Sequence, residues 1–317
     1  MQELGKNNEN VKMERIAVLI PSYDRPEFLE ITLSKWLKAK YVDRVFIVAQ
    51  ASSYSMLEKY KKILEKYSEN HKIIYNLTYG GLGSVKARNT LLDMAVRYSC
   101  EYALMVDDDH LLLSDACLVR IIETFKVDKK VGIIGGKVIV AKRRKMDPDF
   151  FLNLPFGLTD ILVRLTGYVF LDINHGPRYS NFLPPFFAVR LNPLRYVRYD
   201  EALEAPTGFR EESDFQQQIK HAGYRLLFDP KLQVVHLAIE KGGNRPRMNM
   251  GERMYWKARN HMIFILKWNK SLPKRMWYML VSILILSFYR VWCILWVLRG
   301  VRDGIHHFHN LNTCGKN

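Results

Sequence analysis

Tyr102-Ala103-Leu104-Met105-Val106-Asp107-Asp108-Asp109 joins an apolar run of five residues to three consecutive carboxylates. A short apolar run between polar neighbours predicts a strand buried in a sheet. Carboxylates at the C-terminal end of such a strand fall in the crevice where open α/β sheets bind ligands. Acidic side chains this close repel one another unless a cation neutralises them. Hard oxygen donors suit Mg²⁺ or Mn²⁺, which bridge one or two carboxylates to substrate phosphates. A solvated loop, or a helix N-cap ahead of Ser114-Asp115, is the competing reading of the same residues.

On both sides of this stretch, strands and helices alternate. Arg15 to Ile20 predicts a first strand that enters the loop Pro21-Ser22-Tyr23-Asp24-Arg25-Pro26. A helix is expected over 27–38, then a strand Val45-Phe46-Ile47-Val48 ending at Gln50-Ala51-Ser52. A second helix over 55–67, a weaker strand over 72–76, the loop Gly80-Gly81-Leu82-Gly83 and a helix over 85–98 lead to the acidic triplet. After it come a helix over 116–125 and two strands, 131–136 and 138–140. Such alternation predicts an α/β fold with a Rossmann-like, mainly parallel sheet and helices on both faces. From about Lys142 the chain is rich in Pro, Phe, Asn and Arg, with a helix over 212–221 stopped at Ala222-Gly223. Two short strands, 226–228 and 233–236, and a basic loop, 241–247, follow. The expected organisation is a disordered tail (1–13), one domain (14–265) divided at 141/142 into a ligand-binding half and a second half, and a C-terminal segment (266–317).

The 317 residues are 48% hydrophobic and carry a formal charge of +16, which calls for an anionic partner: nucleic acid, a phosphorylated substrate or an anionic membrane. Cys100, Cys117, Cys293 and Cys314 show no paired spacing and read as free thiols of a reducing compartment. No signal-peptide pattern opens the chain. Met276 to Leu298 is long enough for a bilayer-spanning helix, contains one charge, Arg290, and has Trp277, Tyr278, Trp292 and Trp296 near its ends. A hairpin or a helix lying in the interface competes with the spanning reading, because an intramembrane Arg is costly.

Several segments together resemble the family-2 nucleotide-sugar glycosyltransferases of the GT-A fold. They are Val18 to Arg25, Gly83-Ser84-Val85-Lys86-Ala87-Arg88-Asn89, Val106 to Asp109, Arg210-Glu211-Glu212-Ser213-Asp214-Phe215, and Ala222-Gly223-Tyr224 with Val234-Val235-His236. The match runs in the family's order from about Arg15 to His236. The resemblance implies a metal-dependent, inverting transfer of a sugar from a nucleoside diphosphate sugar, with Mn²⁺ or Mg²⁺ neutralising the departing diphosphate. It implies Asp109 as the main metal ligand, Asp107 near the ribose or the metal's water, Asp108 beside them, and His236 as third ligand. Pro21, Tyr23, Arg25, Gln50, Ser52, Lys86 and Arg88 would line the nucleotide, with Tyr23 suited to stacking and Arg88 to phosphate or planar recognition. Arg245 and Arg247 would neutralise the diphosphate from a closing loop. Glu211-Glu212 would supply the general base, Glu212 aligning with the base position.

The chain departs from the family at Ala49-Gln50-Ala51-Ser52, where an Asp usually reads the base, so the donor nucleotide stays open; an amide can still hydrogen-bond a base edge. The expected acceptor is lipid-linked or a glycan or polysaccharide. The expected setting is membrane association with the catalytic domain cytoplasmic and no nucleic-acid partner. Two other readings are weighed. A non-catalytic basic module for membrane or nucleic acid needs a contiguous basic stripe, whereas these cations are dispersed. A nucleotidyltransferase needs a glycine- and basic-rich loop after the first strand, where Pro21-Ser22-Tyr23-Asp24-Arg25 stands instead.

Overall fold

The structure, a computed structural model, describes residues 15–141, 161, 164–166, 176–206, 208–237, 248–289 and 291–314. The tail 1–13, the basic cluster Lys142 to Lys145, Arg245, Arg247 and Arg290 lie outside the described residues. The first half runs β1 (Ile16–Tyr23), α1 (Pro26–Lys38), β2 (Val42–Ala51), α2 (Tyr54–Glu65), β3 (Ile73–Tyr79), α3 (Ser84–Arg97), β4 (Tyr102–Met105), β5 (His110–Leu112), α4 (Ala116–Val127) and β6 (Val131–Val140). The second half continues β7 (Arg178–Tyr179), β8 (Phe187–Arg190), α5 (Glu211–His221), β9 (Arg225–His236), α6 (Met250–Trp268), α7 (Leu272–Tyr289) and α8 (Ile294–Cys314).

The strands form one sheet in the order β3-β2-β1-β4-β8-β6-β9-β5, with β7 also paired to β9. Alternation along each strand feeds two apolar layers. Ile16, Val18 and Ile20 of β1 join Tyr102 and Leu104 of β4 beneath α1, α2 and α4. Ala17 and Leu19 join Ala103 and Met105 beneath α3 and α5. Period-two geometry sends successive side chains to opposite faces, so a strand covered on both sides reads as an unbroken apolar run. Burying each large side chain contributes roughly 1.5–3 kcal/mol.

The sheet is mixed rather than mainly parallel. β3, β2, β1 and β4 are parallel neighbours, but β8 enters antiparallel between β4 and β6, and β5 and β7 run antiparallel to β9. Apolar patterning reports which residues are buried, not strand direction, and two-sided burial of β8 conceals its sense. The strands expected at 131–136 and 138–140 are one strand, and those at 226–228 and 233–236 are one strand. These two pair in parallel through a register shift, from Gly135 opposite Phe228 to Lys137 opposite Gln233. Gly136 sits at the shift because a Cβ there would collide with the backbone of Leu232. A glycine pair read as a strand end is a point of close backbone approach.

The expected 276–298 span is also revised. It divides between α7 and α8, with a single 3-10 turn, Val291–Cys293, between them. No described helix is long and apolar enough to cross a membrane. Instead α8 lies along α6, where Gly304 faces the Arg259 carbonyl and Met262. Met254, Ala258, Met262, Ile265, Leu286, Cys293, Val297 and Val301 form a third apolar core between these helices.

Gly136→Ala should lower unfolding free energy by about 1–3 kcal/mol, the usual cost of overpacking, measured by urea denaturation. An unchanged midpoint would show that the β6–β9 register shift tolerates a side chain.

Candidate active site

The acidic triplet follows β4, and its carboxylates diverge. Asp108 turns inward, where Ser22 Oγ donates to its Oδ2 at 2.7 Å and Arg25 Nη1 reaches its Oδ1 at 3.3 Å. Burial pushes the Asp108 carboxyl up to about 7, against the pull of Arg25. Its backbone carbonyl accepts from Thr32 Oγ1 at 2.9 Å, which ties the loop to α1. Asp108 is thus a structural member of the loop, facing away from the cleft. Arg25 also reaches Asp109 Oδ2 at 3.2 Å, so this residue, expected at the nucleotide, neutralises the triplet from behind.

Asp107 faces the other way. Arg88 Nη2 donates to its Oδ1 at 3.2 Å and also lies 3.1 Å from Glu212 Oε1. One guanidinium therefore joins α3, the triplet and the start of α5. Burial opposes the charge on Arg88, but Glu212 and Asp107 outweigh it and raise its value further. Burial would likewise raise Asp107, yet His110 and Arg88 beside it hold it below the ordinary carboxylate range. Arg88 also stands 5.9 Å over the Tyr199 ring, which stacks on Phe215 of α5.

The two glutamates separate at the helix start, since neighbouring helical residues diverge. Glu212 is partly exposed beside Arg88, whereas Glu211 is 2% exposed. Burial, with the adjacent Glu212 charge, pushes the Glu211 carboxyl up. Arg210 precedes them in a left-handed conformation, φ 76°, and its Nε donates to His261 Nδ1 of α6 at 2.9 Å.

Asp109, His110 and His236 offer ligand atoms within 4.8 Å of one another. β5 and β9 pair with His110 directly opposite His236, and His236 Nε2 lies 3.5 Å from Asp109 Oδ2. His110 Nδ1 accepts from the Asp107 amide at 3.2 Å. A neutral ring that accepts at Nδ1 carries its proton on Nε2, and that buried nitrogen has no hydrogen-bond partner among the described residues. Asp109 and His236 could then hold a cation, and the buried Asp109 Oδ1 has no hydrogen-bond partner among the described residues. Of the expected trio, Asp107 is engaged by Arg88 instead.

At the other end, the Tyr23 ring packs 3.6 Å from the Cβ position of Gly81. Gln50 Oε1 accepts from Leu82 N at 2.6 Å, and Ser52 N donates to Asp24 Oδ1 at 2.8 Å. Gln50 thus pins the glycine loop with its oxygen. Pro21 lies within β1 opposite Val48 of β2. Lys86 pairs with Glu201 at 3.8 Å on the surface, apart from the carboxylates. Glu204 was invisible to motif reading: its carboxylate accepts from Ser84 N at 3.0 Å and Val85 N at 2.8 Å, capping α3 from 120 residues away. His110 was equally hidden, since only the β5–β9 register brings it to His236.

Residues 17–157 match the profile of Glycosyl transferase family 2. The poly-beta-1,6-N-acetyl-D-glucosamine synthase of Staphylococcus aureus (strain COL) is 30% identical over 126 residues. That match takes in 39% of this chain and 29% of the relative, so the chain spans under a third of the length of the curated relatives it matches. Among solved structures, S. aureus TarS 1-349 in complex with UDP-GlcNAc is similar at TM-score 0.63 and 14% identity, over 93% of this chain and 81% of that one. The mannosyltransferase PcManGT from Pyrobaculum calidifontis, in complex with GDP-Man and Mn²⁺, is similar at TM-score 0.52 and 15% identity, over 96% and 81%. The fold is of the GT-A type, and residues 17–157 carry the likeness to Glycosyl transferase family 2.

Two outcomes follow from the site. Glu204→Ala should cost about 1–2 kcal/mol in urea unfolding, as a lost helix cap does; no change would show that the α3 amides find other partners. The raised Glu211 carboxyl means that the folded state favours its protonated form. Its stability contribution is full below the unfolded value and is lost as pH rises through the folded value. Glu211→Gln should therefore gain on the wild type in urea midpoint as pH rises from 4.5 to about 8. A parallel pH profile in the two proteins would contradict this.

Proposed function

We propose that this chain is an inverting glycosyltransferase that moves a sugar from a nucleoside diphosphate sugar to a hydroxyl of a glycan or lipid-linked acceptor. The observation that carries the reading is Arg88, whose guanidinium holds Asp107 and Glu212 in one site. That geometry supports Glu212 as general base. Glu211 is buried and favours its protonated form, which unsuits it to accept a proton. Arg88 engages Glu212 Oε1, so Oε2 is the oxygen we assign to the acceptor hydroxyl.

In the proposed reaction Glu212 takes the hydroxyl proton as that oxygen attacks the anomeric carbon. The new C–O bond forms as the bond to the diphosphate breaks on the opposite face, which inverts the configuration. A divalent cation held by Asp109 and His236 would supply positive charge to the leaving diphosphate. We assign the nucleoside to the side bordered by Tyr23 and Ser52, where the buried Gln50 holds the glycine loop. The relatives' bound nucleotides, UDP-GlcNAc in one and GDP-Man in another, agree with this donor class and leave the base open.

The test combines donor binding with turnover. Thermal shifts with UDP-, GDP- and dTDP-sugars, each with Mn²⁺, Mg²⁺ or EDTA, should show stabilisation that needs both cation and one nucleotide. Glu212→Gln should lower turnover by roughly 10²–10⁴-fold, the range for a general base, with donor binding retained. Asp109→Asn should abolish the cation-dependent stabilisation. Full turnover in Glu212→Gln, or in Asp109→Asn, would overturn the assignment.

A further inference from the structure

Three consecutive residues of α6, Arg259-Asn260-His261, all hydrogen-bond to the chain that leads into α5. Arg259 Nη1 donates to the Ala202 carbonyl at 3.3 Å. Asn260 Nδ2 donates to the Leu203 carbonyl at 2.7 Å and to the Phe209 carbonyl at 3.1 Å. Leu203 and Phe209 are thus joined through one amide group. Asn260 is fully buried, and its Oδ1 accepts from Arg259 Nη1 at 2.7 Å, so both amide hydrogens and the oxygen are engaged. His261 Nδ1 accepts from Arg210 Nε at 2.9 Å. Burial and the Arg210 charge hold the His261 imidazole well below its ordinary value, which keeps the ring neutral and able to accept.

The same helix grips α5 again two turns further on. Trp268 Nε1 and Lys267 Nζ reach Oδ1 of the buried Asp214, on the first turn of α5, at 2.6 and 2.9 Å. Lys267 follows Asn260, and Trp268 follows His261, at the spacing that returns a helix to the same side. Glu211 and Glu212 stand between these two grips. Arg210, the residue before them, holds φ at 76°, a conformation that residues other than Gly, Asn and Asp seldom adopt. Surrounding contacts must hold such a residue in place. For the Arg210 side chain they include His261, Ser213 Oγ at 3.3 Å and the rings of Phe182, Phe209 and Phe264. Arg88 steadies Glu212 at Oε1, so the direction of Oε2 depends on where α5 begins.

We infer that Asn260 and His261 are positioning residues for the proposed transfer: they fix where α5 begins and so aim Glu212 Oε2, without touching substrate. This rests on the reading of Glu212 as the general base. A base must stand within hydrogen-bond reach of the hydroxyl it deprotonates. A misplacement of about 1 Å can cost about a hundredfold in rate. The Asn260 bonds run to backbone carbonyls, which any residues at 203 and 209 would offer, so the role belongs to the amide of Asn260 and not to side chains of the segment it holds.

Release of nucleoside diphosphate from UDP-, GDP- and dTDP-sugars with Mn²⁺, water standing in for the acceptor, tests the inference on the full chain. Asn260→Asp keeps the volume and removes both donors; it should lower turnover about tenfold to a hundredfold with donor KM unchanged. His261→Leu should do the same, whereas His261→Asn, whose amide oxygen takes the place of Nδ1, should restore most of the turnover. Hydrogen exchange over 208–216 should quicken in the two impaired variants and not in His261→Asn. A merely structural role would lower the urea midpoint and leave turnover per folded molecule intact. Unchanged turnover in folded Asn260→Asp or His261→Leu, a loss that falls on donor KM instead of turnover, or failure of His261→Asn to restore what His261→Leu loses would each overturn the inference. A wild type that releases no nucleoside diphosphate from any of these donors fails the transferase reading instead, and hydrogen exchange alone then decides whether Asn260 and His261 hold the start of α5.

Discussion

Arg88 is held between two carboxylates that are 105 residues apart in the chain, Asp107 on the loop after β4 and Glu212 at the start of α5. Removing such a buried cation would leave both acids facing each other across a low-dielectric cleft. Removing either acid would leave a guanidinium with half its compensation. Charges so placed are stabilising only together, because desolvation of each is offset by the others. The same contact fixes the distance between the loop after β4 and the start of α5.

The acidic triplet shows how three adjacent residues come to serve three purposes. A chain turning out of a strand must send successive side chains in different directions. Asp108 goes back into the core, where Ser22 and Arg25 receive it; Asp107 goes to Arg88; Asp109 goes toward His236 and keeps one oxygen unpartnered. The repulsion that three carboxylates imply is relieved chiefly by Arg25 and Arg88 already in the protein.

The second half of the molecule ties the start of α5 to its neighbours. Glu204 caps α3, Arg210 reaches into α6, and Asp214 receives Lys267 and Trp268. These contacts make the N-terminus of α5 a junction at which α3, Glu211-Glu212 and α6 meet. The left-handed Arg210 belongs to that junction: its backbone turn begins α5, and its side chain joins α6.

Much of this was legible before any coordinates. Apolar runs located β1 to β4 and β6, the order of short motifs pointed to the family-2 glycosyltransferases, and the triplet with Glu211-Glu212 supplied candidates for the chemistry. Those signals are local, since a strand's burial and a motif's spacing are written in neighbouring residues. What lay beyond reach depends on contacts between distant residues. Strand direction, the joining of paired strand segments across Gly136, the split of 276–298 into two helices, and the approach of His110 to His236 are settled by register and packing. The resemblance to a family named Arg88, Glu211 and Glu212 as candidates; only the tertiary structure decided that Arg88 bridges the acids, that Glu211 is buried and that Glu212 stays partly exposed. Electrostatic roles follow distance and desolvation, and a linear sequence contains neither.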